Sequence, residues 1–108
     1  MEIASGTNTV GDLTLEDGAT LAFNFTSRKS APLIDLTGKD VVFGSQKSIC
    51  VKITGERPWQ GEHQLTSDGG FSGCNMTLDT KWSGITLLVK EDGNLYIKVA
   101  RGAMVLVK

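Results

Sequence analysis

The chain has 108 residues, 40% hydrophobic and 21% charged, and its eleven basic and twelve acidic side chains leave a formal net charge of -1. That length suits one domain over 1–108, and that apolar content excludes wholesale disorder. The near balance of charge, with Lys and Arg scattered and Arg28–Lys29 the nearest thing to a patch, argues against a nucleic-acid partner, because such binders concentrate positive charge against phosphate.

The first clear period-two alternation is Leu13 and Leu15, then a turn at Glu16-Asp17-Gly18, then Ala19, Leu21, Phe23 and Phe25. This spacing predicts a strand with one strongly apolar face. A polar loop at Ser27–Ser30 leads through Pro32 to the short apolar piece Leu33–Leu36. Gly38-Lys39-Asp40 then turns into Val41–Phe43, and Gly44–Lys47 into Ile49, Val51 and Ile53. A broad turn, Gly55–Gly61, precedes a short strand at His63–Thr66. Ser67–Gly70 turns the chain toward Phe71 and then Met76 and Leu78. Asp79–Gly84 is polar, and Ile85, Leu87 and Val89 alternate after it. Glu91-Asp92-Gly93-Asn94 predicts a hairpin into Leu95, Ile97 and Val99, and Val105 and Val107 suggest a last strand. Nine or ten short strands at such spacing make the chain all-β. The thirteen glycines punctuate the strands, as turns require. Glu16-Asp17-Gly18 and Glu91-Asp92-Gly93, each followed by alternating apolar residues, also form a weak internal echo of the kind stacked coils produce.

No residue set amounts to a catalytic, cofactor or metal site. His63 is the sole histidine and stands 13 residues from Cys50 and 11 from Cys74, without the close ligand pair of structural zinc sites. Glu56 and Glu62 flank Trp59 in one polar loop, whereas a glycosidase sets two carboxylates across a cleft. The phosphate-loop, dinucleotide and EF-hand patterns are absent. Asn24-Phe25-Thr26 and Asn75-Met76-Thr77 match the glycosylation sequon, which matters only in a eukaryotic secretory setting. Cys50 and Cys74 can either pair in a disulfide or remain free thiols. Cys50 has parity opposite to Ile49, Val51 and Ile53, so it faces away from their side. Trp59 and Trp82 lie in polar, turn-rich intervals outside the alternation. There an indole either caps the core or contacts a ligand or protein.

The order of segments resembles the last coils of β-helical passenger regions in bacterial autotransporter-type proteins. The resemblance is carried by Leu13-Thr14-Leu15-Glu16-Asp17-Gly18-Ala19-Thr20-Leu21-Ala22-Phe23-Asn24-Phe25, by Gly61-Glu62-His63-Gln64-Leu65 and by Asp92-Gly93-Asn94-Leu95-Tyr96-Ile97, and it spans Leu13 to Val99. It implies a short right-handed β-helix-like stack within a longer secreted or cell-surface chain. Its role would be structural or adhesive, without catalysis or cofactor. Partners would be the rest of a β-helical chain, a surface protein or a glycan, with no nucleic acid and no direct membrane insertion. The alternative is a compact β-sandwich or jelly roll binding carbohydrate or protein through exposed tryptophans.

Overall fold

The computed structural model describes residues 1–100, and the strand expected at Val105 and Val107 lies outside the described residues. The described chain is all-β, in twelve strands with no helix, and hence none long and apolar enough to cross a membrane. The strands are β1 (Glu2–Ala4), β2 (Gly6–Thr9), β3 (Leu13–Leu15), β4 (Ala19–Phe25), β5 (Pro32–Asp35) and β6 (Val41–Phe43). They continue as β7 (Ser48–Gly55), β8 (Gly61–Gln64), β9 (Thr66–Ser67), β10 (Asn75–Thr80), β11 (Ile85–Val89) and β12 (Leu95–Val99).

Three of the four sheets are parallel: β1-β4-β7-β10, β2-β5-β9 and the pair β3-β6. In the largest, Ile3, Phe23, Ile53 and Thr80 stand side by side, so the chain returns to one level after 20, 30 and 27 residues. The second parallel sheet aligns Asn8, Ile34 and Thr66, and the third aligns Leu13 with Val41. The fourth sheet is antiparallel, ordered β11-β12-β8. The hairpin expected at Glu91–Asn94 is present, with Val89 opposite Leu95 and Gly93 at φ 79°.

Alternation decides which side of each strand is buried. Leu21, Phe23 and Phe25 of β4 and Ile49, Val51 and Ile53 of β7 point to the core, as do Ile34, Leu36, Leu65 and Phe71. In register, Leu21 lies beside Val51 and Phe23 beside Ile53, so the inward rows stack side chain on side chain. Burying such rows is the main favourable term, at roughly 1.5–3 kcal/mol for each fully buried large side chain. Leu95, Ile97 and Val99 of β12 close the core at the antiparallel end.

The sequence pattern misses β1 and β2, because Ile3 is the sole buried hydrophobe in Glu2–Thr9. The strand expected at His63–Thr66 is two strands in two sheets. Leu65 makes the transfer: its N–H donates to the Leu95 carbonyl of β12 at 2.8 Å, and its carbonyl accepts from the Ile34 N–H of β5 at 2.9 Å. A polar knot fixes the same junction. Thr66 Oγ1 accepts from the Leu95 N–H and donates to Asn94 Oδ1, which also accepts from the Gly69 N–H at 2.7 Å. Thr66 and Asn94 are the buried polar residues among the described ones, and buried polar groups persist when their bonds are made.

Candidate functional site

Strands of a parallel sheet all leave it at the same edge. The turns after β4, β7 and β10 therefore gather at one corner, and each carries cationic or aromatic side chains: Arg28 and Lys29, then Arg57 and Trp59, then Lys81 and Trp82. The turns are tied to each other. Arg28 Nε donates to the Arg57 carbonyl at 2.8 Å, the Trp59 N–H donates to the Arg28 carbonyl at 3.2 Å, and Arg57 Nη2 donates to the Ser83 carbonyl at 3.2 Å. Each arginine thus satisfies a backbone carbonyl of the next returning turn while keeping its other guanidinium donors.

Gly55 sets the close approach behind this corner. Its φ is 85°, and a Cβ there would stand 2.4 Å from both the Phe25 carbonyl oxygen and Asn24 Oδ1. Only glycine fits such a backbone pair at that conformation. Pro58 is buried beneath the turn, while Trp59 is 45% exposed with the Lys29 ammonium 4.7 Å from its ring centroid. Arg28, Arg57, Trp59 and Gln60 line an open groove of about 510 Å³. A second groove of about 340 Å³ follows the ends of β7 and β10, past Lys52, Thr54, Asp79 and Lys81.

Trp82 is half-buried, with Lys81 Nζ 4.8 Å from its ring. Its Nε1 and the hydroxyl of Thr54 are the buried side-chain polar atoms without a hydrogen-bond partner among the described residues. The Ile53–Thr80 register sets both at this same corner. The corner thus holds four of the chain's eleven basic residues, and the acidic side chain within its turns is that of exposed Glu56. Among the described residues the one salt bridge is Lys90–Glu62, on the antiparallel sheet, so none of the four cations is paired with a carboxylate.

The other candidates are placed apart from any shared chemistry. Glu62 pairs with Lys90, whose bonded ammonium holds its carboxyl below the usual range. The His63 ring donates from Nε2 to the Trp59 carbonyl at 2.7 Å and meets the Phe25 ring edge-on at 5.5 Å. Cys50 and Cys74 are free thiols. Cys50 aligns with Thr77, three residues beyond Cys74, an offset of about 10 Å along the strand against the ~7 Å limit for bridging Cα atoms. Cys74 instead donates its S–H to the Lys47 carbonyl at 3.1 Å, and burial raises its pKa. No cluster of three or more His, Cys, Asp or Glu side chains able to hold a metal occurs among the described residues.

The sequence pattern singles out Trp59 and Trp82 one by one but leaves Arg28–Lys29 within the polar loop Ser27–Ser30. It missed Arg57 and Lys81, which join that pair only through strand register. No family model, curated protein or solved structure matches the chain.

Proposed function

We propose that this chain is a short right-handed β-helical stack. On this reading it is a non-enzymatic structural or adhesive segment of a longer secreted or cell-surface bacterial chain, in the manner of autotransporter-type passenger regions. The observation that carries the reading is the repeated return of the chain to one parallel sheet, with Ile3, Phe23, Ile53 and Thr80 at one level. Parallel ladders support stacked coils over a β-sandwich, whose sheets are antiparallel. Each coil of such a stack buries its apolar face against the next. Further support comes from β10, which among the described residues pairs on one side only, with β7, while Met76 and Leu78 are only partly buried against the core. A following coil would cover that row and pair that edge. Engagement of Glu62 by Lys90 and of His63 by the Trp59 carbonyl favours structural duties for the obvious acid and base.

The test is the surrounding gene together with protease shaving of intact source cells. The proposal expects further coil-forming stretches behind an export signal and release of fragments from the cell exterior. A protein retained wholly in the cytosol, encoded with no export signal, would overturn it.

A further inference from the structure

We propose that the corner formed by the turns after β4, β7 and β10 binds a carboxylated glycan, with Trp59 stacking on a sugar ring and Arg28, Lys29, Arg57 and Lys81 receiving its carboxylates. Three independent observations converge there. Four cations without carboxylate partners among the described residues meet in a chain of net charge -1, so this corner is locally positive on a chain that is not. An indole 45% exposed lines an open groove between two arginines. The described residues' two unpartnered buried side-chain polar atoms, Thr54 Oγ1 and Trp82 Nε1, lie at the same corner.

The chemistry selects the ligand class. Guanidinium groups match carboxylates in bidentate geometry, and both arginines are held in place by a backbone carbonyl of the neighbouring turn. A flat aromatic face beside cations suits a ring that is apolar on one side and charged at its rim. A uronic acid residue has that form. The three turns span two strand spacings, roughly 10 Å, the reach of a di- or trisaccharide. A nucleic acid fits less well: its dense phosphate charge asks for a longer run of cations, and the rest of this chain is net acidic. Glu56 within the turns and Asp79 on the second groove would repel a continuous polyanion, but as acceptors they can take hydrogen bonds from the free hydroxyls of a sparsely carboxylated chain.

This inference deepens the adhesive part of the proposed role, but it stands on the corner's side chains and fails separately. Absence of binding leaves the stacked architecture and the export prediction untouched, and a cytosolic source leaves the binding result untouched. The experiment is calorimetric titration of the full chain with short α-1,4-linked galacturonate oligomers. Their methyl esters, polyglutamate and a single-stranded DNA oligonucleotide serve as comparison probes, with amide NMR shifts mapping the contact. Saturable, salt-weakened binding to the uronate oligomer is expected, with shifts at residues 28–29, 54–60 and 81–84 and at least tenfold weaker binding by the ester. Trp59→Ala should weaken binding on the order of tenfold, and the exposed-site pair Lys29→Gln with Lys81→Gln several-fold, with folds verified by unchanged amide spectra elsewhere. Three results would overturn the proposal. They are no saturable binding to the uronate oligomer, equal binding by Trp59→Ala and the double variant, or tighter binding of polyglutamate or DNA than of the uronate.

Discussion

The parallel sheets and the antiparallel unit β8-β11-β12 use the same turn sequence for opposite ends. At Glu16-Asp17-Gly18 the Asp17 carboxylate reaches to the next returning turn, accepting from the Gln46 N–H at 3.0 Å and the Ser45 hydroxyl at 3.3 Å. At Glu91-Asp92-Gly93 the Asp92 carboxylate serves its own hairpin, accepting from the Asn94 N–H at 2.9 Å and the Tyr96 hydroxyl at 2.7 Å. One acid-Asp-Gly turn staples chain segments about thirty residues apart, and the other closes a five-residue connection. Packing differs in the same sense. Leu21, Phe23 and Phe25 of β4 and Ile49, Val51 and Ile53 of β7 are fully buried, whereas Ile85, Leu87 and Val89 of β11 are half-buried at a sheet edge. Cohesion in the parallel part is therefore long-range and apolar. In the antiparallel part only β12 contributes a fully buried row, Leu95, Ile97 and Val99, and a local hairpin and the polar anchor through Asn94 and Thr66 hold the rest.

The largest effects should fall on the parallel rows. Phe23→Ala removes a fully buried ring stacked beside Ile53 and should cost about 3–5 kcal/mol by chemical denaturation. A loss under 1 kcal/mol would mean that the inward stack does not carry the fold. Gly55→Ala forces a side chain into contact with the Phe25 carbonyl at a positive φ and should cost about 2–4 kcal/mol, read as a drop in Tm. Wild-type stability there would contradict the close approach of β4 and β7.

At the junction of the two parts, Asn94→Ala strips an acceptor from the Gly69 N–H and the Thr66 hydroxyl, for a loss of about 1–3 kcal/mol. Amide exchange should show protection in β11 falling well before that in β4 and β7, and uniform protection would erase the contrast between the two parts. The smallest effect is on the acid side. Asp92 is held below the ordinary carboxylate range first by the Asn94 N–H and then by the Tyr96 hydroxyl, and Glu62 by Lys90. Their unfolded forms take up protons first, so their contribution is present at neutral pH and drains away as pH falls below about 4. Asp92→Asn should flatten that acid limb in a pH series of unfolding midpoints, and an unchanged limb would remove Asp92 from the account.

The strands themselves were readable wherever alternation was strong: β4 runs Ala19–Phe25 as the apolar spacing demands, and the Glu91–Asn94 hairpin sits where its turn residues place it. Pairing direction was not readable from spacing, because a strand with one buried face alternates alike beside a parallel or an antiparallel neighbour. β1 was hidden by its single buried side chain, Ile3, and the β8–β9 break by Leu65, whose two backbone bonds go to different sheets. The basic corner was equally invisible. Arg28, Arg57 and Lys81 are far apart along the chain, and only the Phe25–Gly55 and Ile53–Thr80 registers bring their turns together. The free state of the cysteines likewise depends on a three-residue offset that spacing alone does not reveal.

The fold rests on its parallel register, and native Cys50 probes it directly. Cys50 aligns with Thr20 on one side and Thr77 on the other, all three on the outward face. In a Cys74→Ser background, Thr20→Cys and Thr77→Cys each bring an introduced thiol to the spacing of adjacent strands, about 4.8 Å, within disulfide reach. Mild oxidation followed by peptide mapping should yield a bond from Cys50 to position 20 in the first protein and to position 77 in the second. The out-of-register control Asn75→Cys should stay reduced. Efficient bonding in that control, or none at positions 20 and 77, would contradict the parallel register.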